Sequence, residues 1–327
     1  MEPIIILGNS RSGTTLLRLI LTCHSNISIP PEGPFFFYLE PKYWKVNTLD
    51  NKLIQNFVDD LWSVPKIEEW NLNRDRLINR LKNSQATSFL DLVDAVHFEY
   101  MDTQGLQKKR WGDKSGSYSI WRLGSIRRSL PHAHLIHIVR DGRDVACSYR
   151  SISGVTGKYA PNLPTNILEI AFQWDHNVQR IHRFINTWPE KKHSIVKYED
   201  LVNEPEFEIK KLCEDIGEEF ESEMLDFYLS NKIFKLEPEI FLGWKEKTQS
   251  PITSTQVGQW KNGLSMNEQV LFVTLAGDTL RLNEYLSEDY DLQPTFYSRV
   301  KVNLFEFKRQ IEKIFGIGRS LFRLKID

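Results

Sequence analysis

A loop rich in glycine and hydroxyl residues is the first segment whose residue types could do chemistry. Residues 8–15 read Gly-Asn-Ser-Arg-Ser-Gly-Thr-Thr and lie between the apolar run Ile4–Leu7 and the helical pattern Thr14–Thr22. Glycines allow a tight turn, and a helix start offers unpaired N–H groups and the positive end of its dipole. The spacing matches G-x-x-x-x-G-K-[ST], except that Thr14 replaces the lysine. The loop therefore predicts a phosphate site in which Arg11 supplies the charge.

The missing lysine bears on the kind of enzyme. That lysine normally reaches the β- and γ-phosphates of a nucleoside triphosphate, and the hydroxyl after it holds magnesium. An enzyme whose donor has a different terminal group therefore fits better than a nucleoside triphosphatase. The plainer alternative, a Gly-Ser turn that only caps a helix, is disfavoured by the strand, loop and helix pattern around it.

A second strand, turn and helix pattern carries another candidate anion site. Arg140 follows the apolar run Leu135–Val139, and Ser148 lies two turns into the next helical pattern. A guanidinium and a hydroxyl in these places could bind one phosphate. Two such sites at the ends of parallel strands suit a nucleotide with phosphates at two separate positions. The alternative is a surface cluster of ion pairs formed by Arg140, Asp141, Arg143 and Asp144.

The elements that must position these residues alternate between strands and helices. Short apolar runs predict four strands, at Ile4–Leu7, weakly around Arg110–Gly112, at Leu135–Val139 and at Ser194–Tyr198. Helical patterns cover Thr14–Thr22, Arg143–Ile152, Ile167–Trp188 and Pro205–Ile216. This alternation predicts an α/β fold with a parallel central sheet and flanking helices.

Two segments depart from this alternation. Residues 34–109 are rich in aromatic side chains and predict a helical insertion after the first helix, which we expect to shape an acceptor site. Residues 299–327 form a basic, amphipathic C-terminal segment. We therefore expect one elaborated domain over residues 1–298, followed by this segment.

Composition excludes several classes of protein. The 327 residues include 42 Lys and Arg against 43 Asp and Glu, so a formal net charge of -1 disfavours a general nucleic-acid binder. The 3 cysteines are far apart and suggest neither a disulfide framework nor a cysteine zinc site. No apolar run approaches the ~18 residues that span a bilayer. We therefore expect a cytoplasmic protein.

The two anion motifs together resemble the sulfotransferases that use 3′-phosphoadenosine 5′-phosphosulfate. Residues 11–17 resemble the family's 5′-phosphosulfate loop, and residues 139–148 resemble its 3′-phosphate element. The resemblance spans roughly residues 4–264. Three further segments are similar to parts of the same family. Residues 111–114 resemble a lysine-bearing segment, and residues 197–201 resemble a strand whose tyrosine contacts the adenine. Residues 257–261 resemble a late loop that closes over the nucleotide.

The resemblance implies a fold like that of the P-loop nucleoside triphosphate hydrolases and transfer of a sulfuryl group to a hydroxyl or amine. Adenosine 3′,5′-bisphosphate is then the product, and no metal is implied. Arg11 and Lys114 would stabilise charge during transfer. The donor-binding residues implied are Arg11, Ser12, Gly13, Thr14, Thr15, Leu16, Arg140, Ser148, Tyr198 and Ser254.

The resemblance also bears on the general base. Cytosolic members use a histidine shortly after the lysine segment, but residues 114–118 contain none. The tyrosylprotein-like branch uses a glutamate after the first helix, and Glu32 stands in that place. We therefore assign Glu32 as base. The alternatives are a solvated loop glutamate at this position and a histidine base such as His97 or His176.

The C-terminal segment leaves two interpretations. Apolar residues recur at helical spacing among lysines and arginines, at Leu304, Phe307, Ile311, Ile314 and Phe315. Most helices of this kind dock their apolar face on the parent domain. The alternative is attachment to an anionic membrane surface, with a lipid-linked or glycolipid acceptor. Otherwise the acceptor is a small molecule or glycan, and the oligomeric state stays open.

Two other functions compete with sulfotransfer. One is a small-molecule kinase or nucleotide hydrolase, against which the absence of a lysine at Thr14 counts. The other is a non-catalytic nucleotide-binding module. Against that module stands the joint presence of the candidate site residues Arg11, Glu32, Lys114, Arg140 and Ser148.

Overall fold

The computed structural model describes residues 2–84, 86–286 and 293–315, with side chains to residue 312. The chain divides into two compact units. The first unit comprises Met1–Arg140, Gly154–Pro161 and Asn177–Thr255. The second comprises Asp141–Ser153, Asn162–His176 and Gln256–Asp327.

A parallel sheet of five strands forms the centre of the first unit. The strands are β1 (Ile4–Leu7), β2 (Ile27–Ser28), β3 (Arg110–Asp113), β4 (His134–Val139) and β5 (His193–Lys197). Their order is β2-β3-β1-β4-β5. On central β1, Ile4 lies opposite Gly112 on one side and His134 on the other. The predicted parallel sheet is confirmed, and the strand that was missed, β2, has only two residues and no apolar run.

Sixteen helices occur in the described residues. They are α1 (Thr14–Thr22), α2 (Phe35–Tyr43), α3 (Asn51–Trp62), α4 (Arg74–Asn83), α5 (Phe89–Thr103), α6 (Ser117–Trp121), α7 (Leu123–Ser129), α8 (Gly142–Ser151), α9 (Ile167–Ile185), α10 (Tyr198–Asn203), α11 (Pro205–Ile216), α12 (Phe227–Phe234), α13 (Glu239–Leu242), α14 (Trp260–Gly263), α15 (Met266–Leu282) and α16 (Phe296–Phe315). Short 3₁₀ helices cover Ile67–Trp70, Glu190–Lys192, Ser222–Met224 and Glu246–Gln249. Among these, α1 and α11 have the predicted bounds.

The predicted helix and strand ends lie within one residue of those in the structure, except at the end of α9. The helix expected to reach Trp188 ends at Ile185, because the N–H of Trp188 turns back to the Ile185 carbonyl at 2.7 Å just before Pro189. The strand expected to include Tyr198 ends at Lys197, and Tyr198 begins α10. The change places the tyrosine at the carboxyl end of the sheet.

The sheet is buried on both faces, because the side chains of β1 point alternately into two hydrophobic cores. Ile5 and Leu7 belong to one hydrophobic core, which also contains the helices of the insertion. Ile4 and Ile6 belong to a second core, which contains α1 and α11. Side chains of a strand alternate between faces, so four consecutive apolar residues predict a strand covered on both sides.

The segment between β2 and β3 is helical, as expected of residues 34–109. It consists of α2 to α5 and one short 3₁₀ helix. Most of its aromatic rings, including Phe35, Phe37 and Trp70, are buried in the core. Two guanidinium nitrogens of Arg128 on α7 donate to buried Glu40 of α2 at 2.6 and 2.7 Å, which fixes the insertion to the sheet domain.

In the second unit, α8 begins against two aromatic rings. A Cβ on Gly142 would lie 2.4 Å from the Trp174 ring and 2.6 Å from the Phe272 ring, so only glycine fits there. Among the helices of the described residues, none is both long and apolar enough to cross a membrane.

Candidate active site

The glycine-rich loop lies at the carboxyl end of β1, the central strand. Arg11 and Gly13 both have positive φ, at 65° and 92°, which turns the backbone tightly before α1. A Cβ on Gly8 would meet the Ile138 carbonyl at 2.7 Å, so the loop starts in close contact with β4. The predicted strand, loop and helix arrangement is confirmed.

The start of α1 can accept an anion. In the described structure, no side chain caps this helix and no acidic residue lies in its first turn. Ser12 is fully buried, and its hydroxyl has no hydrogen-bond partner among the described residues. A helix start without a side-chain cap, a helix dipole and an unpaired buried hydroxyl together suit phosphate or sulfate oxygens.

Four of the predicted donor-binding residues are in contact at this loop. An Arg140 guanidinium nitrogen donates to the Arg11 carbonyl at 3.2 Å. The same guanidinium lies 4.4 Å from the centre of the Tyr198 ring. A Cβ on Gly13 would lie 2.6 Å from that ring, so loop and tyrosine are in contact. A cation, an aromatic face and the loop therefore share one edge of the sheet.

Glu32 and Lys114, which the resemblance singled out separately, form a direct ion pair. The Lys114 ammonium lies 2.8 Å from one carboxylate oxygen of Glu32, and the Lys66 ammonium contacts the other oxygen. Burial alone would raise the pKa of Glu32, but the charges of Lys114, Lys66 and Lys245 outweigh it and hold the pKa well below its usual range. Glu32 is therefore ionised at neutral pH and poorly basic while both lysines contact it.

Lys66 is a site residue that the sequence did not reveal. Its backbone has a φ of 71°, which is uncommon for a lysine. Its N–H donates to the Tyr159 hydroxyl at 3.2 Å, and its ammonium lies 5.7 Å from the centres of the Tyr159 and Phe241 rings. The Tyr159 and Phe241 rings therefore hold Lys66, a residue of the insertion, in contact with Glu32. No motif or periodicity marks this lysine.

A second buried ion-pair group adjoins the first. Fully buried Arg18 of α1 lies 2.5 Å from Glu237, whose other oxygen contacts Lys245. Burial lowers the pKa of Lys245 to about 8 against the opposing effect of Glu237. The residue before it, Trp244, accepts a hydrogen bond from the Arg11 guanidinium at 2.9 Å. A lone arginine in the apolar run Leu16–Leu21 was the one sequence signal of this group.

Positive charge is concentrated around the loop. Burial and the positive charges of Arg140 and Arg11 all lower the pKa of Lys247. Lys114 and Lys245 add to this positive charge, against the carboxylates of Glu32 and Glu237. The arrangement suits a polyanionic ligand.

The charged residues after Arg140 organise the second unit. Arg143 pairs with Asp141 at 2.7 Å and lies 3.7 Å from the centre of the Trp260 ring. Asp144 accepts hydrogen bonds from the N–H groups of Gly258 and Trp260 at 2.7 and 2.9 Å. All three charged residues are buried, so the alternative of a surface cluster is wrong for them. They instead hold the late loop.

The remaining residues predicted to contact the donor differ in how far they are buried and in the unit to which they belong. Leu16 is half-buried against the core behind the loop, and Thr14 is nearly buried at the start of α1. Ser148 is half-buried on α8 of the second unit. Ser254 is exposed in the first unit. Their contacts with a donor stay predictions.

The alternative bases have unfavourable settings for contact with an acceptor. His97 is buried, its ring stacks on Trp111 at 4.1 Å, and burial lowers its pKa to about 3. His176 stacks on Phe172 in the second unit. Burial also raises the pKa of Asp113 to about 7, but its carboxylate is enclosed and accepts from Ser115 at 2.6 Å.

The described residues contain no group of three or more histidine, cysteine, aspartate or glutamate side chains that could hold a metal ion. The absence of a metal requirement stays a prediction.

Comparisons with known proteins bear on the fold and the family. An uncharacterised protein of Aquifex aeolicus (strain VF5) is 27% identical over 268 residues, which are 80% of this chain but only 29% of that protein. The sulfotransferase domain of the Synechococcus PCC 7002 olefin synthase matches with a TM-score of 0.54 and 18% identity, over 92% of this chain and 93% of that one. A sulfotransferase domain from the curacin biosynthetic pathway matches at 0.47 and 19% identity, over 92% and 95%.

The Synechococcus likeness shows a shared fold, the P-loop-like α/β fold of sulfotransferases. The sequence profile of the sulfotransferase family matches residues 3–222, which is more than half of the chain. This chain therefore belongs to the sulfotransferase family of transferase enzymes.

Proposed function

We propose that this enzyme moves a sulfuryl group from 3′-phosphoadenosine 5′-phosphosulfate to an acceptor hydroxyl or amine, with Glu32 as general base. The observation that carries the proposal is the direct contact of Glu32 with Lys114 in the same unit as a phosphate loop that lacks the nucleoside triphosphatase lysine. Family membership supports the reaction class, and the concentration of positive charge supports a polyanionic donor.

Donor binding follows from the loop and its neighbours. Backbone N–H groups of residues 13–15, the Ser12 hydroxyl and Arg11 would bind the 5′-phosphosulfate. Arg140 would bind the 3′-phosphate, and the Tyr198 ring would contact the adenine. The assignments of Ser148 and Ser254 to the same donor stay predictions. The contacts of Arg140 with both loop and tyrosine support this arrangement.

The transfer itself is an in-line displacement. The acceptor oxygen or nitrogen forms a bond to sulfur as the bond from sulfur to the bridging phosphate oxygen breaks, leaving adenosine 3′,5′-bisphosphate. Glu32 takes the acceptor's proton, and the Lys114 and Lys245 ammonium groups stabilise negative charge on the sulfuryl and leaving oxygens. Lysine and arginine would supply the charge that magnesium supplies to kinases.

The low pKa of Glu32 is consistent with a base that acts only with donor bound. In the free enzyme, Lys114 and Lys66 hold the carboxylate in its ionised form. A bound donor adds negative charge that competes for the same ammonium groups, and a nearby like charge raises the pKa of a carboxylate. Donor binding should therefore make Glu32 a stronger base at the moment it is needed.

The acceptor is proposed only as a class. The rings of Tyr38 and Tyr118 lie 5.6 Å apart, and Tyr38 is electrostatically coupled to Lys66. Aromatic faces at this place support a ring-bearing or sugar-like acceptor, either a small molecule, a glycan or a lipid-linked one. A cytoplasmic location and the absence of a nucleic-acid partner stay predictions.

Substitution of Glu32 tests the proposed base. Glu32→Gln keeps the size of the side chain but cannot take a proton, so turnover should fall by about 10²-fold or more. Adenosine 3′,5′-bisphosphate should still bind. Glu206→Gln, at an exposed ion pair with Lys210, is the matched control and should keep its turnover. Near-normal turnover of Glu32→Gln with intact donor binding would remove the assignment.

A further inference from the structure

Helix α16 is held to the second unit by one face only. The Ser298 hydroxyl lies 2.7 Å from the Thr274 hydroxyl of α15, and Val302 is buried. The Phe305 ring lies 6.1 Å from the Phe172 ring, and the Arg309 guanidinium lies 4.1 Å from the same ring. These four residues are three or four positions apart, so they form one stripe along the helix.

The opposite face is apolar and exposed. Phe296, Val300, Leu304 and Phe307 follow one another at intervals of four, four and three residues, which also places them on one stripe. Their exposed fractions are 85%, 39%, 63% and 62%, and that of adjacent Tyr297 is 62%. We call these five residues the exposed α16 face.

The helix docks on its unit, but two residues of the apolar spacing noted in the sequence, Leu304 and Phe307, take no part in that contact. The helix has two apolar stripes, and the narrower one, with Val302 and Phe305, makes the contact. Ile311 is half-buried, and the side chains of Ile314 and Phe315 lie outside the described residues. A surface helix normally buries its broader apolar face, so an exposed one of this size indicates a binding surface.

Positive charge borders the exposed α16 face. Lys301 and Lys308 are exposed and, at seven residues apart, lie along one edge of it, with Arg299 on the other edge. The acidic residues Glu306 and Glu312 lie, at 100° per residue, beside Arg299 and beside the lysine edge respectively, in each case on the side toward the docked stripe. The sequence beyond the helix adds three more basic residues, Arg319, Arg323 and Lys325, against one acid, Asp327.

We propose that the exposed α16 face binds the surface of an anionic lipid bilayer, with the helix lying in the membrane plane. Aromatic and aliphatic side chains would enter the boundary between headgroups and acyl chains, and Lys301 and Lys308 would meet anionic headgroups. A second copy that used the same face fits less well, because Lys301 and Lys308 would then meet like charges. The inference rests on α16 alone and not on the proposed reaction.

Vesicle binding by the full chain tests the proposal. The probes are vesicles of phosphatidylcholine alone and of equimolar phosphatidylcholine and phosphatidylserine, and the readout is cosedimentation. We expect binding to the anionic vesicles that is at least tenfold stronger than to the neutral ones and that weakens with salt. Leu304→Asn combined with Phe307→Asn should lower this binding at least tenfold.

A matched variant separates the α16 face from apolar surface in general. Leu282 of α15 has an exposed fraction of 62%, close to the 63% of Leu304, but lies outside α16. Leu282→Asn should therefore keep wild-type vesicle binding, and circular dichroism should show folded protein for each variant. Absence of binding to anionic vesicles overturns the proposal, as does binding that survives the double substitution. A solution dimer that the double substitution dissociates would assign the face to a second copy instead.

Discussion

Glu32 is shared between two lysines that come from different parts of the chain. Lys114 follows β3, whereas Lys66 belongs to the insertion. The charge of Lys114, and after it that of Lys66, holds the pKa of Glu32 well below its usual range, so the carboxylate is ionised in the absence of donor. Lys66 is therefore the residue whose removal should report most directly on the proton affinity of Glu32.

Lys66→Met should shift the pH dependence of kcat/KM. Activity needs ionised Glu32, so it falls as pH drops through the pKa of this group in the free enzyme. Loss of one ammonium raises that pKa, because less positive charge then stabilises the carboxylate. The acid limb of the profile should move to higher pH.

The control for this substitution is Lys42→Met. Lys42 also lies in the insertion but pairs with Asp60 at an exposed place. Its acid limb should coincide with that of the wild type. An acid limb of Lys66→Met that does not move would show that Glu32 does not set the profile.

Glu32 and Lys114 could be predicted because each lies in a segment with a recognisable motif. Lys66 and Lys245 could not, since neither belongs to a motif or to a periodic pattern. They reach the site through tertiary contacts with Tyr159, Phe241 and Glu237. The contact of Lys66 with Tyr159 joins residues 93 positions apart and leaves no local signal. Lys245 lies only eight residues from Glu237, but its burial depends on the folded chain around it.

The loop between β1 and α1 depends on glycine at its last turn. Gly13 combines a φ of 92° with close approach to the Tyr198 ring. Positive φ is strained for any other residue, and the ring leaves no room for a Cβ. The loop therefore owes its shape to two constraints that can be separated by experiment.

Gly13→Ala should cost both stability and ligand binding. Gly154 provides the matched control, because its φ of 90° is nearly the same but nothing lies within 4 Å of a Cβ there. Both substitutions should lower the free energy of unfolding by about 1 kcal/mol or more through backbone strain. Only Gly13→Ala should also abolish stabilisation by adenosine 3′,5′-bisphosphate in thermal melts. Equal ligand responses of the two variants would contradict the role of the loop.

Elements with strong local patterns were predictable, and elements defined by their partners were not. Helices α1 and α11 have the predicted bounds because capping, proline and glycine signals agree with the apolar spacing. Strand β2 forms because β3 pairs with it, and two residues carry no pattern of their own. The face by which α16 docks also depends on its partner, since both of its apolar stripes have helical spacing.

Charge is distributed unevenly over the molecule. The whole chain has a formal net charge of -1. Basic side chains are nevertheless concentrated around the phosphate loop and along α16. Buried histidines add a further electrostatic feature, because burial keeps them neutral in the folded state. Burial lowers the pKa values of His97 and His137 to about 3.

These histidines predict acid lability. The unfolded chain binds protons at histidine near pH 6.5, but the folded protein does not bind them until about pH 3. Stability should therefore be fully present above pH 6.5 and fall as pH drops toward 3, by up to about 1.4 kcal/mol per pH unit for each histidine.

Urea unfolding at pH 7 and pH 5 measures this loss. His97→Phe keeps an aromatic ring against Trp111 but removes the titrating group, so its free energy of unfolding should fall less between the two pH values. The same substitution at exposed His132 is the control. An identical pH dependence of wild type and His97→Phe would show that buried histidine does not limit acid stability.

The central claim is that the phosphate loop binds a nucleotide of the sulfotransferase donor type. Thermal unfolding with adenosine 3′,5′-bisphosphate, compared with ATP plus magnesium, tests it most directly. At about a hundred times its dissociation constant, a ligand stabilises the folded state by roughly 2.7 kcal/mol. We expect the bisphosphate to raise Tm by several degrees and ATP plus magnesium to leave it unchanged. Stabilisation by ATP plus magnesium, and none by the bisphosphate, would contradict the account.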